Sequence, residues 1–242
     1  MRFLGTGASG GTPGTGRSRR RESSLLVEQD DAALLIDVTR DFEEQARDIT
    51  LVDAVLLTHA HRDASGGIPR LRRWCAQHGG GAIDTYMSEP TRLALRARYA
   101  RLDHCRMVAV AEGQEVPIAA WTVAAIAVPH AREPGASTFA WRLAADGRSI
   151  VYASDVARLT RRLEGFAAGA SVLVLDGAMW RRRLCSHLTI DEALPKVCEW
   201  DVGSILLTQI GKSAPPHRRL AREVAALCPR ARPAYDGLQV AI

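Results

Sequence analysis

The chain has 242 residues, of which 47% are hydrophobic and 24% charged, a composition typical of a globular protein with a buried core. No apolar run approaches the ~20 residues that span a bilayer, and there is no signal-peptide core, so we expect a cytoplasmic protein that binds no membrane. The formal charge of +5 comes from arginine, since Lys196 and Lys212 are the only lysines. Five cysteines without a C-x-x-C pair argue against a disulfide framework and a cysteine zinc site, so we expect them to be reduced.

Short apolar runs bounded by glycine, aspartate and polar turns predict strands in two groups. The first group is "MRFLGTG", "SSLLVEQ", "AALLIDV" and "DAVLLTHA", and the second is "TVAAIAVPH", "STFAWRLAA", "SIVYASDV" and "SVLVLDGA". Helices are predicted at 66–78, 90–100, 156–168, 189–200 and 215–228. Two strand-rich halves, each followed by helices, predict an α/β fold in which two stacked sheets lie between helices, a four-layer αββα sandwich. No linker-like break interrupts the chain, so we expect a single domain over residues 1–242.

The stretch "LLTHAHRDASGG" is the first candidate for chemistry. It places His59 and His61 two residues apart at the end of an apolar strand. Neutral imidazoles bind zinc, and a carboxylate such as Asp63 suits a second metal or orients a water. Alone, the stretch also describes two loop histidines that happen to lie near an aspartate.

Three other apolar runs end in a polar residue. "AIAVPH" ends in His130, "IVYASD" in Asp155 and "ILLTQ" in Gln209. Taken singly, His130 is an ordinary surface or core histidine, and Asp155 could cap the helix that follows it. If the strands are neighbours, these side chains converge with the histidine motif on one edge of the sandwich.

In this order the motifs resemble those of the metallo-β-lactamase superfamily, and in particular its phosphodiesterase branch, which includes ribonuclease Z and the cyclic phosphodiesterase of phosphonate breakdown. The resemblance implies the αββα fold and runs nearly end to end. It is carried by "FLGTGASGGTP", "LLIDVTRDF", "LLTHAHRDASGGIPRLR", "YASDVARL", "LVLDGA", "HLTIDEAL", "ILLTQIG" and "YDGLQVAI".

The resemblance implies a first metal site formed by His59, His61 and His130, with Asp155 as a bridging ligand. The second site would use Asp63, Asp155 and two histidines, but this chain has Ala64 and Gln209 at the histidine positions. Alanine offers no donor, and an amide oxygen is a weak neutral ligand compared with imidazole. We therefore expect one zinc ion per chain, with manganese or iron as alternatives.

Further polar groups are candidates for substrate contacts. The resemblance implies that His187 contacts the scissile phosphate, although "SHLTIDEAL" also reads as a helix entry with Thr189 as N-cap and Glu192 at the capping-box position. Lys212, Asp63 and Gln209 are possible second-site or substrate residues. The loop "GTGASGGTPGTG" could offer backbone N–H groups to phosphate or be a flexible turn. The arginine runs 17–21 and 181–183 are candidates for nucleic-acid or phosphate patches, with solvated faces as the alternative.

Together these observations predict a metal-dependent hydrolase, a phosphodiesterase that acts on a small cyclic phosphodiester through a metal-activated water. Asp63 would be the general base, His187 the general acid, and arginines would hold the anion. The alternatives are a degenerate anion-binding homologue or a hydrolase of another small ester. We expect a small anionic substrate and a possible homodimer. Nucleic acid is disfavoured because no substrate-gripping arm like that of ribonuclease Z is visible.

Overall fold

The computed structural model describes residues 1–130 and 136–242. Its first half forms a six-stranded sheet in which neighbours in sequence are neighbours in space. The first three strands are antiparallel and the remaining pairs are parallel. In chain order the elements are β1 (Arg2–Gly5), β2 (Ser24–Gln29), β3 (Ala32–Ile36), α1 (Phe42–Gln45), β4 (Ala54–Leu56), α2 (Arg62–Ser65), α3 (Ile68–Gln77), β5 (Ile83–Met87), α4 (Glu89–Arg98) and β6 (Cys105–Ala109).

The second half forms a seven-stranded sheet, again with sequential neighbours. Its strands are antiparallel up to the fourth and parallel from there to the last. The elements are β7 (Val116–Ile118), β8 (Trp121–Val128), β9 (Thr138–Ala145), β10 (Arg148–Ala153), α5 (Arg161–Ala167), β11 (Ala170–Asp176), α6 (Ile190–Val197), β12 (Val202–Thr208), α7 (His217–Leu227) and β13 (Ala231–Pro233). None of the helices in the described parts of the chain combines the length and hydrophobicity that a membrane span requires.

The alternation of side chains along the strands explains why the sheets stack. In β2, Leu25 and Val27 face the other sheet, whereas Leu26 faces the helices on the outside. Successive strand residues point to opposite faces, so a strand that is apolar at every position must be covered on both. Three apolar layers result, one between the sheets and one under each group of helices. The predicted αββα sandwich is confirmed.

The helix predicted at 156–168 begins later than expected. Thr160 is the N-cap of α5, and its hydroxyl accepts a hydrogen bond from the backbone N–H of Leu163 at 3.1 Å. Asp155 therefore does not cap this helix and is available for another role.

The cysteine expectation is wrong for one pair. Cys198 caps α6 and Cys228 caps α7, and the two helices pack together, which brings the Cα atoms to 5.6 Å. This separation fits a disulfide, and the structure joins the two residues as one. The remaining cysteines, Cys75, Cys105 and Cys185, are free. The disulfide joins two helix ends that lie 30 residues apart in the chain, so no local sequence motif predicts it.

Thiol titration tests this pairing. Protein that is unfolded without reductant should expose three thiols, and the same protein after reduction should expose all five. Double replacement of Cys198 and Cys228 by serine is the matched control, because it should give three thiols under both conditions. Five thiols in the untreated protein would contradict the disulfide.

Candidate metal centre

The candidate residues lie where strands of the same direction end. β8 and β10 are both antiparallel to β9, and β11 and β12 are parallel to β10, so all four strands end at one edge of the second sheet. His130, Asp155 and Gln209 follow β8, β10 and β12 within two residues. His59 follows β4 of the first sheet. The stacking of the sheets places this strand end beside the other three.

Three histidine rings form the core of the site. The ring centroids of His59 and His61 are 4.6 Å apart, those of His59 and His130 are 5.1 Å apart, and those of His61 and His130 are 5.3 Å apart. One nitrogen from each ring lies within 4.8 Å of the others. Two ligand atoms on one ion lie at most about 4.2 Å apart, which is twice a metal–nitrogen bond of ~2.1 Å. Because the three nitrogens already lie within 4.8 Å of one another, a slight side-chain movement lets one ion reach all three rings.

A hydrogen bond at Nδ1 of His59 orients its ring. Its Nδ1 lies 2.8 Å from the Thr58 hydroxyl, which in turn donates to a carboxylate oxygen of Asp37 at 2.9 Å. Nδ1–H is therefore the donor, and Nε2 keeps its lone pair. Burial lowers the pKa of His59 to about 3, so the ring is neutral. Within the described residues Nε2 is buried without a hydrogen-bond partner, a deficit that a metal ion would satisfy.

His130 is held in the same way. Its Nδ1 donates to the carbonyl oxygen of Ser186 at 2.7 Å, which leaves Nε2 to face the site. That nitrogen lies 3.4 Å from Nδ1 of His61 and 3.8 Å from Oδ1 of Asp155. Beside the cluster of three imidazole nitrogens the chain thus offers one carboxylate oxygen next to His130, a set of donors that suits zinc.

The amide of Gln209 joins Asp63 to Asp155. Oδ1 of Asp63 is 4.0 Å from Nε2 of His59, and its Oδ2 accepts a hydrogen bond from Nε2 of Gln209 at 3.2 Å. The same nitrogen of Gln209 donates to Oδ1 of Asp155 at 2.8 Å. Ala64 is buried and contributes only a methyl group. The structure brings Asp63 and Gln209 into the centre by these contacts.

His187 faces the centre from the loop that precedes α6. Its ring centroid is 4.9 Å from that of His130, and it forms a second cluster of possible ligands with His130 and Asp155. Burial alone would lower the pKa of His187, but its Nδ1 is 2.7 Å from the buried carboxylate of Asp176, which raises the pKa to about 9. The outer nitrogen of a protonated His187 can therefore donate toward the centre.

The helix-entry interpretation of this loop is correct only in part. Thr189 occupies the N-cap position of α6, but its side chain makes no capping hydrogen bond. Glu192 pairs with Arg183 instead of closing a capping box. His187 is positioned by its ion pair with Asp176, not by the helix start.

The arginine runs are used within the fold. Arg20 is buried and donates to the hydroxyl of Thr6, and Arg21 pairs with Glu44. In the second run, Arg181 lies over the ring of Trp180. The first run is not a uniform solvated face, because Arg20 is buried. Arg181, Arg182 and Arg183 are all exposed, as the solvated-face alternative expects.

Lys212 lies outside the cluster of ligands. It is exposed and lines a groove of about 580 Å³ together with residues 10–14 of the glycine-rich loop. This loop is anchored at Gly10, whose backbone N–H donates to Glu22 at 2.8 Å. A role of Lys212 in substrate binding stays a prediction.

Asp37, Thr58 and Asp176 are functional candidates that sequence reasoning missed. Asp37 and Asp176 follow or end an apolar strand, as Asp155 does, so the same signal identifies them in "LLIDV" and "LVLDGA". Thr58 has no such signal, because a threonine before a histidine is common in strands.

Replacement of Thr58 by valine tests how His59 is oriented. Valine keeps the shape but leaves both His59 Nδ1 and Asp37 without the hydroxyl, and loss of such an outer contact weakens metal binding by about 10–100-fold. Competition with a chelator measures the affinity. The control is Thr85→Val, since Thr85 is also buried but donates to the carbonyl of Ile83. Equal affinities of the two variants and the unaltered protein would contradict the role of Thr58.

Comparisons with known proteins agree with this fold. Octanoyltransferase of Porphyromonas gingivalis (strain ATCC BAA-308 / W83) is 25% identical over 263 residues, a match that covers 99% of this chain and 51% of that protein. The chain thus spans about half the length of the curated relative it matches.

Solved structures superpose over almost the whole chain. A diphosphatase of the PhnP family has a TM-score of 0.86 at 24% identity, covering 99% of this chain and 95% of that one. Zinc-bound PqqB from Methylobacterium extorquens has a TM-score of 0.84 at 20% identity, covering 100% and 99%. The short form of human tRNase Z has a TM-score of 0.73 at 17% identity, covering 100% and 98%.

The family model described as the beta-lactamase superfamily domain matches residues 33–208. This range contains the histidine motif, His130 and Asp155, and it ends one residue before Gln209. The chain belongs to the metallo-β-lactamase superfamily.

Proposed function

We propose that the protein is a metal-dependent hydrolase that cleaves a small, cyclic phosphodiester at a centre with one divalent ion. The observation that carries the proposal is the cluster of the His59, His61 and His130 imidazoles, in which Nε2 of His59 is buried without a hydrogen-bond partner among the described residues. The carboxylate of Asp155 lies beside this cluster, with its Oδ1 3.8 Å from Nε2 of His130. Beside the same cluster lie a second carboxylate, Asp63, and a charged histidine, His187. A hydrolase that needs a proton acceptor and a proton donor finds both here.

The residues that would hold the ion are His59, His61, His130 and Asp155. Three imidazole donors favour zinc, and manganese or iron are the alternatives. When bound, such an ion supplies Lewis acidity that polarises a phosphoryl oxygen and makes water a nucleophile near neutral pH.

Asp63 is the proposed general base. Its side chain is 11% exposed, so it is reachable by water, and one of its oxygens lies 4.0 Å from His59 Nε2. Its other oxygen is held by Gln209, which fixes the carboxylate relative to Asp155. Asp63 would accept the proton of the attacking water.

His187 is the proposed general acid. The ion pair with Asp176 keeps the imidazole protonated and fixes Nδ1, so only the outer nitrogen can give up a proton to the substrate. Its ring lies beside that of His130, with 4.9 Å between the centroids. In the proposed reaction Asp63 takes a proton from the attacking water and His187 gives a proton to the leaving oxygen.

A phosphoester substrate is supported by two observations. Two of the superposed structures, the diphosphatase and tRNase Z, carry names that denote cleavage of bonds to phosphorus. In this chain Arg98 donates to the carbonyl of Ala60 within the metal motif, and Arg40 lies at the edge of the glycine-rich loop, bonded to Glu22 and Ser9. Such exposed guanidinium groups can hold the anion.

A degenerate homologue that binds an anion without turnover is the second candidate. The specific observation that favours it is the replacement of two expected ligands by Ala64 and Gln209. A hydrolase of another small ester is the third, because the superfamily uses similar centres on many substrates.

A panel of substrates separates these functions. The zinc-loaded protein should hydrolyse a five-membered cyclic phosphodiester and bis(p-nitrophenyl) phosphate, and chelation should abolish the activity. Asp63→Asn, which cannot accept a proton, should lower kcat by about 10²–10⁴-fold, whereas Asp103→Asn on the surface should not. Binding of phosphate without any turnover would favour the degenerate homologue. Hydrolysis of p-nitrophenyl acetate alone would favour an esterase.

The role of His187 is tested by the leaving group. His187→Gln should slow release of an alkoxide, as in a cyclic ribose phosphodiester, by about 10²–10⁴-fold, because an alkoxide needs a proton to depart. Release of p-nitrophenolate, a stable anion, should change far less. The control is His78→Gln, which alters a histidine stacked on Trp74. Equal losses on both substrates would show that His187 is not the acid.

A further inference from the structure

Gln209 has an unusual backbone conformation. It directly follows β12 and has φ of 56°, in the left-handed region that non-glycine residues seldom adopt. Its backbone N–H donates to the hydroxyl of Ser23 at 2.8 Å, and that hydroxyl also lies 3.0 Å from the hydroxyl of Thr208. A residue held in this region by its neighbours is one whose side-chain direction is fixed by the fold.

The side chain of Gln209 is buried between two carboxylates. Its Nε2 donates to Asp155 at 2.8 Å and to Asp63 at 3.2 Å. A carboxamide nitrogen has two N–H groups, so a single Gln209 can serve both acceptors. The orientation is dictated by its partners, because the amide oxygen would repel the carboxylates.

The buried carboxylate of Asp155 and the largely buried carboxylate of Asp63, both in contact with one nitrogen, require a favourable partner. Like charges in a low-dielectric site raise each other's energy unless a cation or hydrogen-bond donors hold them together. In the superfamily pattern a second ion would lie between Asp63, Asp155 and the residues at 64 and 209. In this chain the amide nitrogen of Gln209 lies between the two carboxylates, and the buried methyl of Ala64 offers no ligand.

We propose that the carboxamide of Gln209 stands in place of a second metal ion. Because the amide occupies the position of the second ion, the centre holds one ion only. Gln209 also acts as a positioning residue that holds Asp63 next to Asp155. The inference rests on the proposed hydrolase function, since Asp63 is the base that Gln209 positions. A second ion would have to displace the nitrogen from both carboxylates and would gain only a weak neutral oxygen in return.

Gln209→Glu tests the proposal with a side chain of nearly the same size. The change removes both N–H donors and places a third carboxylate beside Asp63 and Asp155, a cluster that attracts a cation. Titration with cobalt(II), followed by its visible absorption, should end at about one equivalent for the unaltered protein and about two for the variant. Without metal the variant should melt at a lower temperature than the unaltered protein, and added metal should reverse the difference.

Gln45→Glu is the matched control. Gln45 is also buried, but its Nε2 donates to the backbone carbonyl of Glu22 at 2.7 Å and its Oε1 accepts from Thr39. Neither contact involves Asp63 or Asp155. This variant should therefore still bind about one equivalent of cobalt, whatever its stability.

Gln209→His is the second variant, for the case that the third carboxylate prevents folding. An imidazole at this position offers a strong donor beside Asp63 and Asp155, so the endpoint should again rise above one equivalent. Adding Ala64→His should raise it further.

The outcomes separate this proposal from the function on which it rests. One ion in every folded 209 variant would overturn the role of Gln209 without affecting the hydrolase. Two ions in the unaltered protein would overturn the role of Gln209 and the one-ion centre, but not the hydrolytic activity. Absence of any bound ion would overturn the proposed function as well. One ion without phosphodiester cleavage would overturn the substrate class alone, and the metal count would still decide on Gln209.

Discussion

The centre is built on one constraint, which is that a polar atom buried from water needs a partner in the protein. The Thr58 hydroxyl satisfies Nδ1 of His59, the carbonyl of Ser186 satisfies Nδ1 of His130, and Asp176 satisfies Nδ1 of His187. In each ring one nitrogen is occupied, so the other is directed inward. Three independent contacts thus orient three rings at the centre, and the buried Nε2 of His59 has no hydrogen-bond partner among the described residues.

The two sheets must be docked for these contacts to exist together. The histidine motif belongs to the first sheet, whereas His130, Asp155 and Gln209 come from the second. Trp141 of β9 donates its indole N–H to the backbone carbonyl of Leu57 at 3.1 Å. The backbone N–H of Phe139 donates to the backbone carbonyl of Thr58 at 2.8 Å. Both aromatic side chains also pack in the layer between the sheets. The apolar core and the position of His59 are therefore set by the same residues.

Much of this architecture can be predicted from sequence because its signals are local. Apolar runs of strand length predict the eight strands first expected, and a polar residue at the end of a run predicts His130, Asp155 and Gln209. β7 and β13 are not predicted because they are three residues long and each contains a proline.

The ion pair of His187 with Asp176 depends on tertiary packing, as does the pairing of Cys198 with Cys228. From the sequence, Gln209 can be identified only as the replacement of an expected ligand. The direction of its amide depends on a backbone conformation that the sequence does not reveal.

The central claim is that one metal ion, held by His59, His61, His130 and Asp155, serves the reaction in a centre whose second position is filled by an amide. An anomalous difference map at the zinc absorption edge, from crystals grown with excess zinc, tests this most directly. We expect a single peak bonded to those four residues and no peak between Asp63 and Gln209. Two peaks ~3.5–4 Å apart, the separation found in two-metal hydrolases, would contradict it.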